Sequence, residues 1–275
     1  MNRSHSKRSA LGVGLVLCLA ASSVLAQPPN AFVGAGRRLQ GHPVANAAIH
    51  ARFVFAIGDK VIVINEAREV WYHHFMARGN DRAGGAQIGP AIRMRGTTIG
   101  VANEGPRYAL PWNRDIVILT PRGELYKHEV RGDNVMPPEA IPGAPVGTGG
   151  QEPKFMFMMG NQLVNVTING EIWVHAITRT VAPGRRIGVY RTTGVPADVR
   201  HAFHVGRTVY LVGANNGGVI GYDMAGPALG NGRVVRAGTV DLGRADMRWI
   251  FPMETNRHLV AVNQAGEVWV HDIST

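Results

Sequence analysis

The sequence predicts an all-β protein, a five-bladed β-propeller of four-stranded antiparallel blades closed by its own N-terminal strand. Three observations predict it: a short motif that returns five times, a β-branched run at the same place after every copy, and a last repeat that stops one strand short.

The motif is a basic residue, a ring, any residue, then Phe or Leu. Its copies are Arg52-Phe-Val-Phe55, Arg107-Tyr-Ala-Leu110, Lys154-Phe-Met-Phe157, Arg200-His-Ala-Phe203 and Arg248-Trp-Ile-Phe251, spaced 55, 47, 46 and 48 residues apart. Blades are therefore expected to start near residues 52, 107, 154, 200 and 248. The runs that follow are Val61-Ile-Val-Ile64, Ile116-Val-Ile-Leu119, Leu163-Val-Asn-Val166, Val209-Tyr-Leu-Val212 and Leu259-Val-Ala-Val262. Four of the five turns after them carry Gly (Gly123, Gly170, Gly217, Gly266), which accepts the positive φ of a tight hairpin.

The third segments are Glu69-Val-Trp-Tyr-His73, Glu124-Leu-Tyr-Lys-His128, Glu171-Ile-Trp-Val-His175, Gly218-Val-Ile-Gly-Tyr222 and Glu267-Val-Trp-Val-His271. A less regular fourth segment is visible as Arg185-Arg-Ile-Gly-Val-Tyr190 and Arg233-Val-Val-Arg-Ala-Gly238. Four short strands repeating every 40 to 50 residues give blades that pack face to face around an axis. Burial on both faces explains why these strands are nearly continuous in apolar residues instead of alternating.

The fifth unit ends after its third strand, at Ile273-Ser-Thr275, so its fourth must come from elsewhere. Gly36-Arg-Arg-Leu-Gln-Gly41 resembles Gly184-Arg-Arg-Ile-Gly-Val189 of unit three. Residues 37–44 are expected to complete the last blade beside the strand containing Trp269, which removes an edge that would invite aggregation.

Residues 1–26 read as a secretory signal peptide: a basic start, then Leu11 to Ala26 apolar or small, then Gln27-Pro28. The apolar run of 16 residues is shorter than the roughly 20 that span a bilayer. Cleavage is expected after Ala26, leaving one propeller domain over 27–275, secreted or periplasmic, with no transmembrane segment. Cys18 follows Leu17 where a lipoprotein site would have Gly or Ala. That mature chain has no cysteine, which excludes disulfides and thiol catalysis. Loss of Arg3, Lys7 and Arg8 lowers the formal charge from +10 to +7. A basic balance favours a glycan or other anionic envelope polymer as partner. The arginines are scattered in runs no longer than two, so no specific nucleic-acid site is expected, and a protein partner stays open.

Gly147-Thr-Gly-Gly150, Lys154-Phe-Met-Phe-Met158, Leu163-Val-Asn-Val166 and Gly170-Glu-Ile-Trp173 together resemble the tachylectin-2-like (tectonin-type) five-bladed propeller lectins, and the resemblance covers all five units. It implies binding of N-acetylated amino sugars between neighbouring blades, through the loop before the outermost strand and the connector into the next blade. The chain departs from that pattern in the binding loop, where the Asp-Asn-Trp element has no counterpart. Gln151 stands in place of the tryptophan of Gly-Gly-Trp.

The Glu-x-aromatic-x-His triplets are the obvious metal or catalytic candidates. On a strand, residues i and i+4 lie about 13 Å apart, so Glu171 and His175 cannot share a metal ion at its usual ligand distance of about 2 Å. A contact needed five times points to packing, so no catalytic residue, metal site or cofactor is expected. Glu69, Glu124, Glu171 and Glu267 are repeat equivalents, not a unique acid pair, and no nucleophile elbow, phosphate loop or HExxH is present. An enzyme such as a lyase or lactonase is the third reading. Asn165-Val-Thr167 fits a glycosylation acceptor but falls in an expected strand.

The ligand-binding candidates are connector and seam positions: Gly149, Gly150, Lys154, Trp71, Tyr126, Trp173 and Trp269. The aromatics are expected between blades, where an exposed face would suit a sugar ring. Loops near 76–88, 131–142, 178–184 and 225–232 could hold ligand. The leading expectation is a carbohydrate-binding, lectin-like propeller with repeated weak sites, whose avidity would rise by about 10² to 10⁴ through multivalency. The alternative is an envelope protein-interaction scaffold without sugar binding.

Overall fold

The computed structural model describes residues 32–44, 50–76, 86–102, 104–148, 150–190, 199–213, 218–224, 226, 228–237, 246–253 and 258–274. The expected signal peptide lies outside them. Among these residues every regular element is a strand. The N-terminal segment supplies β1 (Phe32–Val33), β2 (Arg37–Arg38) and β3 (Gln40–Gly41). Blade one is β4 (Ala51–Ile57), β5 (Lys60–Asn65), β6 (Val70–Met76) and an outer strand in two pieces, β7 (Gln87–Ile88) and β8 (Ile92–Arg93). After β9 (Arg95–Gly96) comes blade two: β10 (Tyr108–Trp112), β11 (Asp115–Leu119), β12 (Leu125–Arg131) and β13 (Asn134–Ile141).

Blade three is β14 (Pro153–Met159), β15 (Gln162–Thr167), β16 (Glu171–Ala176) and β17 (Arg185–Val189). Blade four is β18 (Val199–Val205), β19 (Thr208–Gly213), β20 (Val219–Asp223) and β21 (Arg233–Ala237). Blade five is β22 (Met247–Pro252), β23 (His258–Asn263) and β24 (Val268–Ser274), with β1 and β2 as its outer strand. Neighbouring strands of a blade pair antiparallel. The five innermost strands touch in a closed ring, β4 to β10 to β14 to β18 to β22 and back to β4.

The second strand of each blade has neighbours on both edges and both faces, and Val61–Ile64, Ile116–Leu119, Leu163–Val166, Val209–Val212 and Leu259–Val262 are all buried. The core is divided into five, one apolar cluster per seam. The repeat motif explains how a seam is filled. Large residues such as Phe55, Leu110, Phe157, Phe203 and Phe251 face the next blade. The residue before each of them, in order Val54, Ala109, Met156, Ala202 and Ile250, faces the preceding blade.

The closing strand differs in extent from the expected 37–44. It begins at Phe32, with Phe32 opposite Ser274 and Val33 opposite Ile273, and continues with Arg37 opposite Val270, Arg38 opposite Trp269 and Leu39 N–H donating to Val268 O at 2.8 Å. After a detour the chain returns to blade five, where Val44 N–H donates to Gly266 O at 2.8 Å. Gln40 and Gly41 have left blade five and pair in parallel with Gln87 and Ile88 of blade one. The sequence comparison with unit three found the middle of this strand and missed its handover.

That handover recurs around the ring. Arg95 and Gly96 of blade one pair in parallel with Asn134 and Val135 of blade two, and Gly143 of blade two bridges Val181 of blade three. Leu229 N–H of blade four donates to Ile187 O of blade three at 2.9 Å, and Arg236 and Ala237 of blade four pair with Phe32 and Val33. Each outer strand thus grips the next blade. Glycine is required at three of these links. Gly41, Gly96 and Gly143 have φ of 122°, 99° and 137°, and a Cβ there would sit 2.1–2.3 Å from a carbonyl oxygen of the neighbouring blade.

Candidate functional site

Three aromatic residues of the third strands are seam fillers turned toward the preceding blade. Trp71 packs into the seam with blade five, Tyr126 into the seam with blade one, and Trp269 into the seam with blade four. Trp173 is half-buried, and its Nε1 donates to Glu171 Oε2 at 3.0 Å. The glutamates of the triplets fix the outer strand. An arginine faces each tryptophan across the strand pair: Arg93 opposite Trp71, Arg186 opposite Trp173, Arg38 opposite Trp269. These arginines bind Glu69 at 2.7 Å, Glu171 at 3.1 Å and Glu267 at 2.5 Å. The four aromatics stay on four blades and form no common pocket.

The histidines of the triplets are buried, and each Nδ1 meets a backbone carbonyl of its own outer strand or the loop before it. His73 reaches Gly89 O at 2.9 Å, His128 reaches Met136 O at 2.9 Å, His175 reaches Ala182 O at 3.2 Å, and His271 reaches Gly34 O at 2.9 Å. With the proton on Nδ1 the ring is neutral and Nε2 is an acceptor. His128 Nε2 accepts from the Gly100 N–H of the preceding connector at 3.3 Å. Burial lowers the pKa of His73, His128 and His175 from the ordinary 6.5, against a small opposing effect of each carbonyl. They are ties between strands. Among the described residues no three His, Asp, Glu or Cys side chains are grouped to hold a metal ion.

Blade four breaks the pattern, with Gly218, Ile220 and Tyr222 where other blades have Glu, an aromatic and His. Ile220 faces the seam with blade three, where Trp71 and Trp269 fill their own seams. The shorter side chain leaves a crevice of about 380 Å³, lined by Ile187, Gly188, Val189, Ile220, Tyr222, Leu229, Gly230, Asn231 and Gly232. Its walls are the outer strand of blade three and the loop before the outer strand of blade four. No Lys, Arg, Asp or Glu lines it. A Cβ on Gly232 would lie 2.8 Å from the Tyr222 ring, so the bare backbone is what lets this loop approach.

A second cavity of about 470 Å³ runs along the axis, lined by the innermost strands of all five blades. Its walls carry the ring position of the repeat motif in four blades (Phe53, Tyr108, Phe155 and Trp249), all half-buried, together with Phe157, Phe251 and His204. His204 stacks on Phe157 at 5.4 Å. In blade four the ring position is His201, buried toward blade five and absent from the lining; burial and then the charge of Arg200 hold its pKa down at about 4.

Of the other expected ligand positions, Lys154 lines the axial cavity and Gly150 lies in an exposed turn with open space around its Cα. Gly149 lies outside the described residues, as does most of the 76–88 loop. The 131–142 region is a strand and not a loop: β13 pairs with β12, leaving Gly132-Asp133 as the turn. Asn165 is fully buried in β15, its Nδ2 donating to Gln151 O at 2.9 Å, so the acceptor sequon is closed to a glycan. Sequence reasoning named the 225–232 loop that walls the crevice and Lys154 that lines the axial cavity, but neither cavity as such. The signal for the crevice was the Ile220 departure; that for the axial cavity was the motif itself.

No known family profile and no curated protein sequence matches the chain. Solved structures do. Myxococcus xanthus glutaminyl cyclase aligns at a TM-score of 0.53 with 10% identity, over 90% of this chain and 100% of that one. A chain of a mitotic checkpoint complex aligns at 0.48 with 10% identity, over 98% of this chain and 100% of that one. The β-propeller domain of Myceliophteria thermophila Cps50 (Swd1) aligns at 0.38 with 9% identity, over 78% and 66%. Identities this low speak to fold alone, and the fold is a five-bladed β-propeller.

Proposed function

We infer that this is an exported binding protein that holds a neutral sugar, of the N-acetylated amino-sugar class, in the crevice between blades three and four. The observation that carries the reading is Ile220, which opens a seam where tryptophan closes others. The volume of about 380 Å³ falls in the usual range for small-ligand pockets, about 300–1,000 Å³. The uncharged lining suits an uncharged ligand. Asn231 and the backbone of three glycines offer hydrogen bonds, and Val189 and Leu229 offer an apolar wall. One of the two parts that the lectin resemblance implicates, the loop before an outermost strand, is a wall of this crevice; the other wall is the outer strand of blade three. A single site of this kind replaces the repeated sites expected from the motif, because the residues that open it belong to blade four.

The test is a glycan array followed by calorimetric titration with N-acetylglucosamine and N-acetylgalactosamine. Binding with one site per chain is expected, lost in Ile220→Trp and weakened about ten-fold in Asn231→Ala. Silence across neutral and amino sugars removes the reading. A stoichiometric protein partner from envelope extracts, insensitive to free sugar, favours the scaffold alternative instead.

A further inference from the structure

We propose that the axial cavity is a second site, for an alkyl or aryl carboxylate whose apolar body lies along the axis and whose carboxylate meets Lys154, the motif cation that lines the cavity. The cavity of about 470 Å³ is walled mainly by Phe, Met, Tyr and Trp side chains from five blades, the composition of a pocket for an apolar small molecule. The lining covers the consecutive positions Lys154 to Met158 of one strand, a span of about 13 Å. The rings at Phe53, Tyr108, Phe155 and Trp249 each keep an uncovered part, and the cavity is where those parts point.

The cations come from the first residue of the repeat motif: Arg52, Arg107, Lys154, Arg200 and Arg248. All five innermost strands start at the same end of the axis, since each leads into the same antiparallel meander and touches its two neighbours in the ring. The five basic positions therefore lie at the same end of their strands. In blades one, three, four and five the basic residue is the extra residue of a β-bulge, between Ala51 and Phe53, Pro153 and Phe155, Val199 and His201, and Met247 and Trp249. A bulge re-aims the side chain it carries. Here it brings two cations over cavity rings: the Arg52 guanidinium lies 5.2 Å from the Phe53 centroid and the Lys154 ammonium 5.8 Å from that of Phe155. Lys154 also lines the cavity itself. Arg107 is paired with Glu152 at 2.6 Å and Arg248 donates to Gln264 at 2.9 Å, so both are engaged outside the cavity lining, and Lys154 is the cation within it that meets the ligand. The lining at the other end is Pro111, Asn113, His204 and Pro252, and burial lowers the pKa of His204 from its ordinary value, which favours its neutral form. A ligand with one anionic end is therefore oriented, and a dication or a neutral sugar is not favoured.

The probe is decanoate, titrated into the full mature chain by calorimetry below its micellar concentration, with decanol as the uncharged control. One-to-one binding of decanoate is expected, with decanol at least ten-fold weaker. Lys154→Gln should weaken decanoate at least five-fold and leave decanol unchanged. Location is read on ¹³C-methyl methionine: Met156, Met158 and Met253 line the cavity and should shift, while Met94 and Met224 should not. Ala202→Phe narrows the bore and should abolish binding; the methyl spectra decide the matter if that variant does not fold. Absence of saturable binding, equal affinity for decanol, indifference to Lys154→Gln, or shifts confined to Met94 or Met224 would each overturn the proposal. Ile220→Trp should leave decanoate binding intact, so this site and the sugar crevice stand or fall separately.

Discussion

His271 Nδ1 lies 2.9 Å from the carbonyl oxygen of Gly34, a residue 237 positions earlier in the chain. The same bond spans 16 positions in blade one, 8 in blade two and 7 in blade three. One local contact has been converted into the clasp of the whole ring. Arg37 opposite Val270 gives the register of that clasp. Directly opposed antiparallel residues have Cα atoms about 4.5–5.5 Å apart, inside the disulfide range of about 4.4–6.8 Å. Arg37→Cys with Val270→Cys should cross-link readily under mild oxidation, whereas Leu39→Cys with Val270→Cys, two positions out of register, should not. Equal yields from both pairs would refute the pairing. Deleting residues 32–41 should cost several kcal/mol of a total near 5–15 kcal/mol and should bring aggregation.

Acid should weaken the protein through its buried histidines. His73, His128, His175 and His201 have lowered pKa values in the fold, His201 at about 4. Below pH 6.5 the unfolded chain therefore binds protons that the folded chain refuses. Stability is full above 6.5 and falls as pH drops toward the folded values, by up to about 1.4 kcal/mol per pH unit for each histidine that stays neutral. Melting temperature should be level from pH 7 to 8 and fall steadily from 6.5 to 4.5. His201→Phe, which restores the aromatic of the other blades, should flatten that slope and raise stability at pH 5. An unchanged slope in this variant would remove His201 from the account.

The glycine links give a sharper stability test. Gly96→Ala combines a left-handed φ of 99° with a Cβ 2.1 Å from Val135 O, so the neighbouring blade must move. Gly132→Ala has φ of 60° and open space around it, and should cost only the left-handed penalty of about 1–2 kcal/mol. Urea unfolding should show Gly96→Ala as clearly the worse of the two. Comparable losses would mean that the link between blades one and two contributes little.

Ion pairs and seam aromatics should separate in the same experiment. Arg186 is 51% exposed beside Glu171, and exposed pairs contribute about 0.2–1 kcal/mol, so Arg186→Ala should fall in that range. Trp269→Ala empties a buried seam position and should cost about 3–5 kcal/mol. If the two variants unfold alike, the arginine is doing more than screening an outer strand.

Much of the fold was legible because a propeller repeats its physics. The β-branched runs are buried on both faces in every blade, so they stand out as apolar runs five times. Even the likeness of Gly36–Gly41 to Gly184–Val189 had a physical basis: Arg38 and Arg186 both stand opposite a tryptophan and bind its glutamate. What repetition hides is whatever happens once or between repeats. The grip of Gly41, Gly96 and Gly143 on the next blade depends on backbone carbonyls, which leave no side-chain signature. The crevice arises from a residue that departs from its equivalents, Ile220, and the axial cavity from five strands whose mutual arrangement no single segment encodes.

The segment from Phe32 to Gly41 touches three blades: the fourth through Arg236 and Ala237, the fifth through β24, and the first through Gln87 and Ile88. During synthesis it is made before any of them, and its main partner, residues 268–274, is made only after blades one to four. Contacts so distant in sequence are slow to form, because the intervening chain must first be brought together. Four blades can assemble as they appear, but the ring has nothing to lock onto until residues 268–274 have been made. The ring is thereby kept open, with an unpaired edge on either side of the gap, until those seven residues emerge, and their synthesis times its closure.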